Sequence, residues 1–149
     1  MIVRRAGLSD VSAVAALEHA EFPDGADEAM LARLWETDGG VILIAEEGGD
    51  LLGYVWARFV LDEGDIGNIA VAPGFRRRGA GAALLKALLE EAERRQAAVV
   101  QLEVRESNLA ARRLYEKNGF ETVGKRKNYY EKPAEDAILM SKFFQKEAE

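Results

Sequence analysis

Asn68-Ile69-Ala70-Val71-Ala72-Pro73-Gly74-Phe75-Arg76-Arg77-Arg78-Gly79-Ala80-Gly81-Ala82-Ala83-Leu84-Leu85 is the stretch on which the fold turns. A short apolar run leads into a Pro-Gly turn, three arginines and two glycines, and then into helical periodicity. Glycine lets a backbone curl closely around a ligand, and the first amides of a helix have no intrahelical acceptor. Those amides and the positive end of the helix dipole suit a pyrophosphate, and the arginines add charge to the same mouth. The spacing excludes two other anion cradles. A P-loop needs a lysine directly after its last glycine, whereas Ala82 and Ala83 follow Gly81. A dinucleotide fingerprint needs Gly or Ala where Leu84 stands, and no βαβ unit precedes it.

Upstream of this stretch, Ile2 to Arg5 reads as a strand. Ser9 reads as the cap of a helix over Asp10 to Ala20, with Val11, Val14, Ala15 and Leu17 as its apolar stripe and His19 on its polar side. Phe22-Pro23-Asp24-Gly25 breaks that helix, and Asp27 opens a second through Met30, Leu31, Leu34 and Trp35. Val41 to Glu46 and Leu51 to Leu61 are strands joined by the hairpin signal Glu47-Gly48-Gly49-Asp50. Asp65 to Ala72 is a fourth strand and ends at the anion cradle.

Downstream, the helix from Gly79 to Arg95 turns Leu84, Leu85, Leu88, Leu89 and Ala92 inward, with Glu90–Arg94 and Glu91–Arg95 spaced for ion pairs outside. A strand follows over Ala98 to Arg105, then a helix from Asn108 to Asn118 that Gly119 closes. Two last strands lie near Phe120 to Lys127 and Asp136 to Phe144. The order β-α-α-β-β-β-α-β-α-β-β is a mixed α/β fold, one sheet with helices on its faces. A chain of 149 residues without a linker or repeat is expected to form one domain over residues 1–149.

Composition narrows the chemistry. There is no cysteine, which removes disulfides, thiolate metal sites and a cysteine-bound intermediate. A single histidine, His19, leaves no histidine triad or cluster, so no metal is expected. No apolar run approaches the roughly 20 residues of a membrane span, and the first residues lack the apolar region of a secretory signal. A cytoplasmic protein with no membrane partner is expected. The net charge of −6 argues against nucleic-acid binding and allows a basic peptide as partner.

Arg76-x-x-Gly79-x-Gly81 resembles the coenzyme A pyrophosphate loop of the GNAT superfamily of N-acetyltransferases. Leu102-Glu103-Val104-Arg105-Glu106-Ser107-Asn108, followed by Leu114-Tyr115-Glu116-Lys117-Asn118-Gly119-Phe120, is similar to its second signature. With Asn68-Ile69-Ala70-Val71, Asn128-Tyr129-Tyr130 and Glu135-Asp136-Ala137, the wording resembles the bacterial ribosomal-protein-alanine N-acetyltransferases, from about Val60 to Met140.

The resemblance implies a seven-stranded, mostly antiparallel sheet flanked by four helices, its fourth and fifth strands splayed to admit acetyl-CoA. It implies coenzyme contacts from the backbone of Ile69, Ala70 and Val71, from Arg76, from the amides of Arg77, Arg78, Gly79, Ala80, Gly81 and Ala82, and from Asn108. It makes Glu103 the general base and Tyr115 the acid that protonates the leaving thiolate, and it lines an acceptor groove with Phe22, Tyr129 and Tyr130.

Each residue also has a plainer reading beside that one. Asn108 suits a helix cap, Tyr115 a buried apolar stripe with Ala110, Ala111 and Leu114, and Glu103 a polar strand face with Gln101 and Arg105. Tyr129 and Tyr130 suit a strand covering the core. The arginines suit a solvated turn.

The implied reaction passes acetyl directly from thioester to amine, without an enzyme nucleophile. Its acceptor is a protein N-terminus, with an alanine-initiated ribosomal protein as partner. A lysine side chain, a polyamine or another small amine is the alternative acceptor, and a silent acetyl-CoA sensor is the alternative class. Asp24 and Gly25 stand where that family carries an aromatic residue after Phe-Pro, which leaves peptide preference open; the oligomeric state is not fixed.

Overall fold

A computed structural model describes residues 1–144. Its elements follow the expected order: β1 (Ile2–Arg5), α1 (Val11–Glu21), α2 (Glu28–Glu36), β2 (Gly40–Glu47), β3 (Asp50–Val60), β4 (Glu63–Val71), α3 (Ala80–Arg94), β5 (Val99–Arg105), α4 (Leu109–Lys117), β6 (Glu121–Glu131) and β7 (Ala134–Phe143). Seven strands form one sheet in the order β1-β2-β3-β4-β5-β7-β6. Every neighbouring pair is antiparallel except β4–β5, which is parallel.

β2 shows why the sheet lies between two layers. Val41 and Ala45 face one apolar cluster while Ile42 and Ile44 face another, the period-two alternation of a strand buried on both sides. The first cluster is closed by α3 through Leu84, Leu85, Leu88, Leu89 and Ala92, and takes in Tyr115 and Phe120. The second is closed by α1 and α2 through Val11, Val14, Ala15 and Leu31.

Most junctions carry the expected local chemistry. Gly48 and Gly49 turn the β2–β3 hairpin at φ +57° and +86°, as a two-residue primed turn demands. Asp27 caps α2 by accepting from the Met30 amide at 2.8 Å. Gly119 leaves α4 with φ +91°.

Four expectations are corrected. Ser9 caps nothing: residues Leu8–Asp10 form a 3-10 turn, and it is the Asp10 carboxylate that accepts from the Gly7 amide at 2.8 Å. Glu91 holds both Arg94 (2.6 Å) and Arg95 (2.9 Å), so the Glu90–Arg94 pair does not form. Ala110 is exposed, leaving Ala111, Leu114 and Tyr115 as the inward stripe of α4. Finally, β6 continues beyond Lys127 to Glu131 because a register shift between Arg126 and Tyr130, with Asn128 at φ +53°, lets the strand resume pairing with β7.

Candidate active site

A gap opens in the sheet where β4 and β5 stop pairing. Their register runs from Glu63–Val99 to Ile66–Leu102 and ends there, so Gly67–Val71 and Glu103–Arg105 diverge without sharing a ladder. The cause lies one strand away. On β3, Trp56 pairs with Asn68 while Ala57 pairs with Ile66, which leaves Gly67 as the extra residue of a bulge. A Cβ on Gly67 would sit 2.1 Å from the Trp56 ring, so only glycine fits the bend. Beyond it the Ala72 amide donates to Leu52 of β3 at 2.8 Å. By strand alternation Ala70 also turns its N–H toward β3, while Ile69 and Val71 turn theirs into the gap.

The mouth of α3 faces the same gap. Arg77 (φ +65°) and Gly79 (φ +80°) are left-handed, and they bend the chain into the helix. The first intrahelical bond runs from Ala83 to the Gly79 carbonyl at 3.0 Å. Ala80, Gly81 and Ala82 therefore present amides without an intrahelical acceptor. Gly81 has no packing reason to be glycine. A methyl there would meet Leu114 at 3.4 Å and Val71 at 3.7 Å, both ordinary contacts, and alanine is the better helix former.

The arginine side chains are tied to carboxylates around the mouth. Arg76 reaches Glu21 of α1 at 2.6 Å and the Val71 carbonyl at 3.3 Å. Arg78 pairs with Glu47 and lies 5.8 Å from the Phe75 ring centroid.

Glu103, Tyr115 and Asn108 meet in one cavity at the inner end of the gap, with Phe22, Asn68, Ile69 and Tyr130. Asn108 is the N-cap of α4, its Oδ1 accepting from the Ala111 amide at 3.2 Å. That bond leaves the amide's Nδ2 end unspent. Tyr115 packs on Phe120 with ring centroids 5.5 Å apart, and burial, helped by Tyr130, pushes its phenol well above the usual range. Tyr115 thus stays protonated at working pH. Burial likewise pushes Tyr130 up to about 12, with Tyr129 and Glu103 adding to the effect.

A second, outer cavity shares Asp24, Gly25, Asn68, Glu103 and Tyr130 with the first and adds Trp56, Tyr129 and Glu131. Glu103 therefore borders both chambers. Arg105 straps the walls together: it reaches Asp24 on the α1–α2 loop (2.8 Å), Glu135 (3.2 Å) and the carbonyls of Lys132 and Pro133 at the β6–β7 turn. The Tyr130 ring lies under its guanidinium, 4.3 Å away. Of the sequence-derived residues, Phe22, Glu103, Asn108, Tyr115 and Tyr130 fall at the inner end of the gap, Tyr129 in the outer chamber, Arg76 to Ala82 at its mouth and the Ile69 and Val71 amides along its β4 wall, whereas Ala70, against expectation, turns its N–H to β3.

Glu18 and the Arg105 strap escape a reading of the sequence. Glu18 is completely buried, and it accepts from the Tyr54 hydroxyl (2.5 Å), the Ala26 amide (2.9 Å) and Asn68 Nδ2 (2.8 Å). Its one signal is the spacing Val11, Val14, Ala15, Glu18, which puts the carboxylate on the inward face of α1 and leaves Leu17 half-buried. The Arg105 strap joins positions 81 residues apart and has no local signal.

Known proteins match this geometry. Residues 11–120 match the Acetyltransferase (GNAT) family. The chain is 44% identical over 97 residues to the [ribosomal protein bS18]-alanine N-acetyltransferase of Escherichia coli K12, a stretch covering 64% of this chain and 66% of that enzyme. It is 34% identical over 139 residues to the putative enzyme of that name from Bacillus subtilis, covering 93% and 92% of the two chains. The crystal structure of the ribosomal-protein-S18-alanine N-acetyltransferase from Escherichia coli superposes with a TM-score of 0.89 at 33% identity, covering 99% of this chain and 96% of that one. With the splayed sheet, the open helix mouth and a family match across most of its length, this chain belongs to the GNAT acetyltransferase family.

Proposed function

We propose that this acetyltransferase moves an acetyl group from acetyl-CoA to the α-amine of a protein N-terminus, with the alanine of ribosomal protein bS18 as acceptor. The observation that carries the reading is the position of Glu103 and Tyr115: they line one cavity at the inner end of the β4–β5 gap, and Glu103 alone of the two also borders the outer chamber. A donor entering past α3 and an amine entering past Tyr129 would meet between them.

The residues present fit the donor. The free amides of Ala80, Gly81 and Ala82 suit a diphosphate, and Gly81 is accounted for if a ligand, rather than protein, passes close to its Cα. Arg76 and Arg78 ring the same mouth, Arg77 and Gly79 set its bend, and the unspent Nδ2 of Asn108 can donate to a pantetheine carbonyl. The gap-facing amides of Ile69 and Val71 can hold the thioester oxygen as it gains charge. Losing one donor of that kind costs about 3–4 kcal/mol in catalysis.

In the transfer, the amine nitrogen bonds to the acetyl carbon and the carbon–sulfur bond breaks. Glu103 accepts the proton that the amine sheds. Tyr115, kept protonated by burial, gives its proton to the departing thiolate. An α-amine with pKa about 7.7–8.0 is neutral roughly a tenth of the time at pH 7, whereas a lysine near 10.4 almost never is, so a carboxylate base is better matched to the N-terminus. A ribosomal acceptor would place the reaction in the cytoplasm.

The test offers acetyl-CoA with an alanine-initiated bS18 peptide, the same peptide with a blocked N-terminus and an internal lysine, and a polyamine. Mass spectrometry should find the acetyl group on the free α-amine. Acetylation confined to lysine or polyamine would refute the N-terminal acceptor.

A further inference from the structure

We propose that Asn68 is an acceptor-contacting residue whose Oδ1 takes a hydrogen bond from the incoming amine, and that buried Glu18 is the positioning residue that aims it. The inference rests on the transfer reading above and adds a second acceptor atom beside Glu103.

Hydrogen-bond polarity gives the direction. The Ala26 amide can only donate, so the Glu18 Oε2 that it reaches is an acceptor, and Asn68 meets that same oxygen at 2.8 Å. The Asn68 side chain must then present its NH2 end to Glu18, which turns its carbonyl end the other way. On the far carboxylate oxygen, Tyr54 donates at 2.5 Å, and burial with the Glu18 charge holds that hydroxyl protonated. Both carboxylate oxygens are thereby committed, and Glu18 is completely buried, so it has no rotamer freedom to spare. A Cβ on Gly25 would fall 2.7 Å from Oε2, so the loop too closes on this carboxylate.

Asn68 sits where this orientation matters. It is the first residue past the Gly67 bulge, beyond the last β4–β5 pair, and it is half-buried. It lines the inner cavity with Glu103 and Tyr115 and the outer chamber with Glu103 and Tyr129. An amine passing between those chambers carries only N–H donors when charged. An Asn carbonyl next to the Glu103 carboxylate gives it two acceptors, and it leaves the lone pair free to face the donor once Glu103 removes a proton.

The test compares steady-state kinetics of Asn68→Leu, Glu18→Leu and the conservative Glu18→Gln, on the amine that the wild-type chain acetylates. Asn68→Leu removes the acceptor atom. Glu18→Leu removes the oxygen that holds the Asn68 NH2 end and frees that side chain to turn. In Glu18→Gln the Ala26 amide can only donate, so the new amide oxygen keeps that place and still accepts from Asn68, while its NH2 turns to the Tyr54 hydroxyl, which can accept.

Asn68→Leu and Glu18→Leu should each raise the acceptor KM by about tenfold or more, while the acetyl-CoA KM stays within about twofold, and Glu18→Gln should stay within about twofold of wild type in both. Wild-type acceptor KM in Asn68→Leu would overturn the proposal. So would equal increases in both KM values alongside a lowered Tm, the mark of a merely structural hub, or a Glu18→Gln acceptor KM as high as that of Glu18→Leu. A wild-type chain that acetylates some other amine but no peptide N-terminus defeats the transfer reading instead, and the same variants still report on Asn68 with that amine.

Discussion

On the α3 side of the cleft the groups that face the gap are main-chain amides set by a short local sequence, whereas on the α1–α2 side they are side chains gathered from distant segments. Ala80, Gly81 and Ala82 present N–H groups because a helix must begin with them, whatever surrounds it. Asp24, Glu18, Asn68, Arg105 and Tyr130 come together only when the loop after α1, the bulge in β4 and the β6–β7 turn have all packed. In the proposed reading a pyrophosphate is the same in every donor molecule, so a fixed backbone cradle would serve it. An acceptor varies, and exchangeable side chains can follow it.

Perturbing the two sides should therefore give separable results. The largest effect is expected at their meeting point: Tyr115→Phe should lower kcat by about 10²–10⁴-fold while acetyl-CoA binding, read by calorimetry, stays near wild type. On the donor side, Gly81→Ala should weaken acetyl-CoA binding by about tenfold, and yet raise the Tm of the free protein, since alanine is favoured over glycine in a helix by about 0.5–1 kcal/mol. A lowered Tm with unchanged affinity would show that Gly81 serves packing instead.

On the acceptor side, Asp24→Asn weakens the Arg105 strap, a partly buried ion pair at 2.8 Å. Such a pair contributes about 1 kcal/mol, so acceptor KM should change by a few-fold with donor KM constant. Equal shifts in both would erase the distinction between the two sides.

The smallest effect at working pH concerns the tyrosines. Tyr54, Tyr115 and Tyr130 all hold their protons above the usual value of about 10, Tyr130 up to about 12. Their folded forms release protons later than the unfolded chain does, so the unfolded state gains as pH rises past about 10. Stability should be unaffected by these groups near pH 8 and should fall between about pH 10 and 12, with tyrosinate absorbance lagging until the chain unfolds.

The helix mouth at α3 is legible in the sequence because its geometry is local. Arg76-x-x-Gly79-x-Gly81 and the Asn108 cap act within a few residues, so their geometry is written locally. The strand and helix order is equally legible from periodicity. Ser9 fails as a cap because it lies inside the 3-10 turn Leu8–Asp10, which begins at Gly7 and whose Asp10 carboxylate bonds back to the Gly7 amide. Tyr129 and Tyr130 could not be placed by residue type. It is the register shift beyond Arg126 that keeps them in β6, one in the outer chamber and one under Arg105. Glu18 looks like a solvated helix charge because carboxylates are seldom buried unless paired, and its partners on β3, β4 and the loop lie 8 to 50 residues away. Long-range polar contacts of that kind leave no periodic trace.

Above all, the gap between β4 and β5 has to seat the thioester donor. Calorimetric titration of acetyl-CoA into the folded chain tests this directly. Saturable one-to-one binding, displaced by coenzyme A and weakened in Gly81→Ala, is the predicted result; a folded chain that takes up neither compound would contradict it.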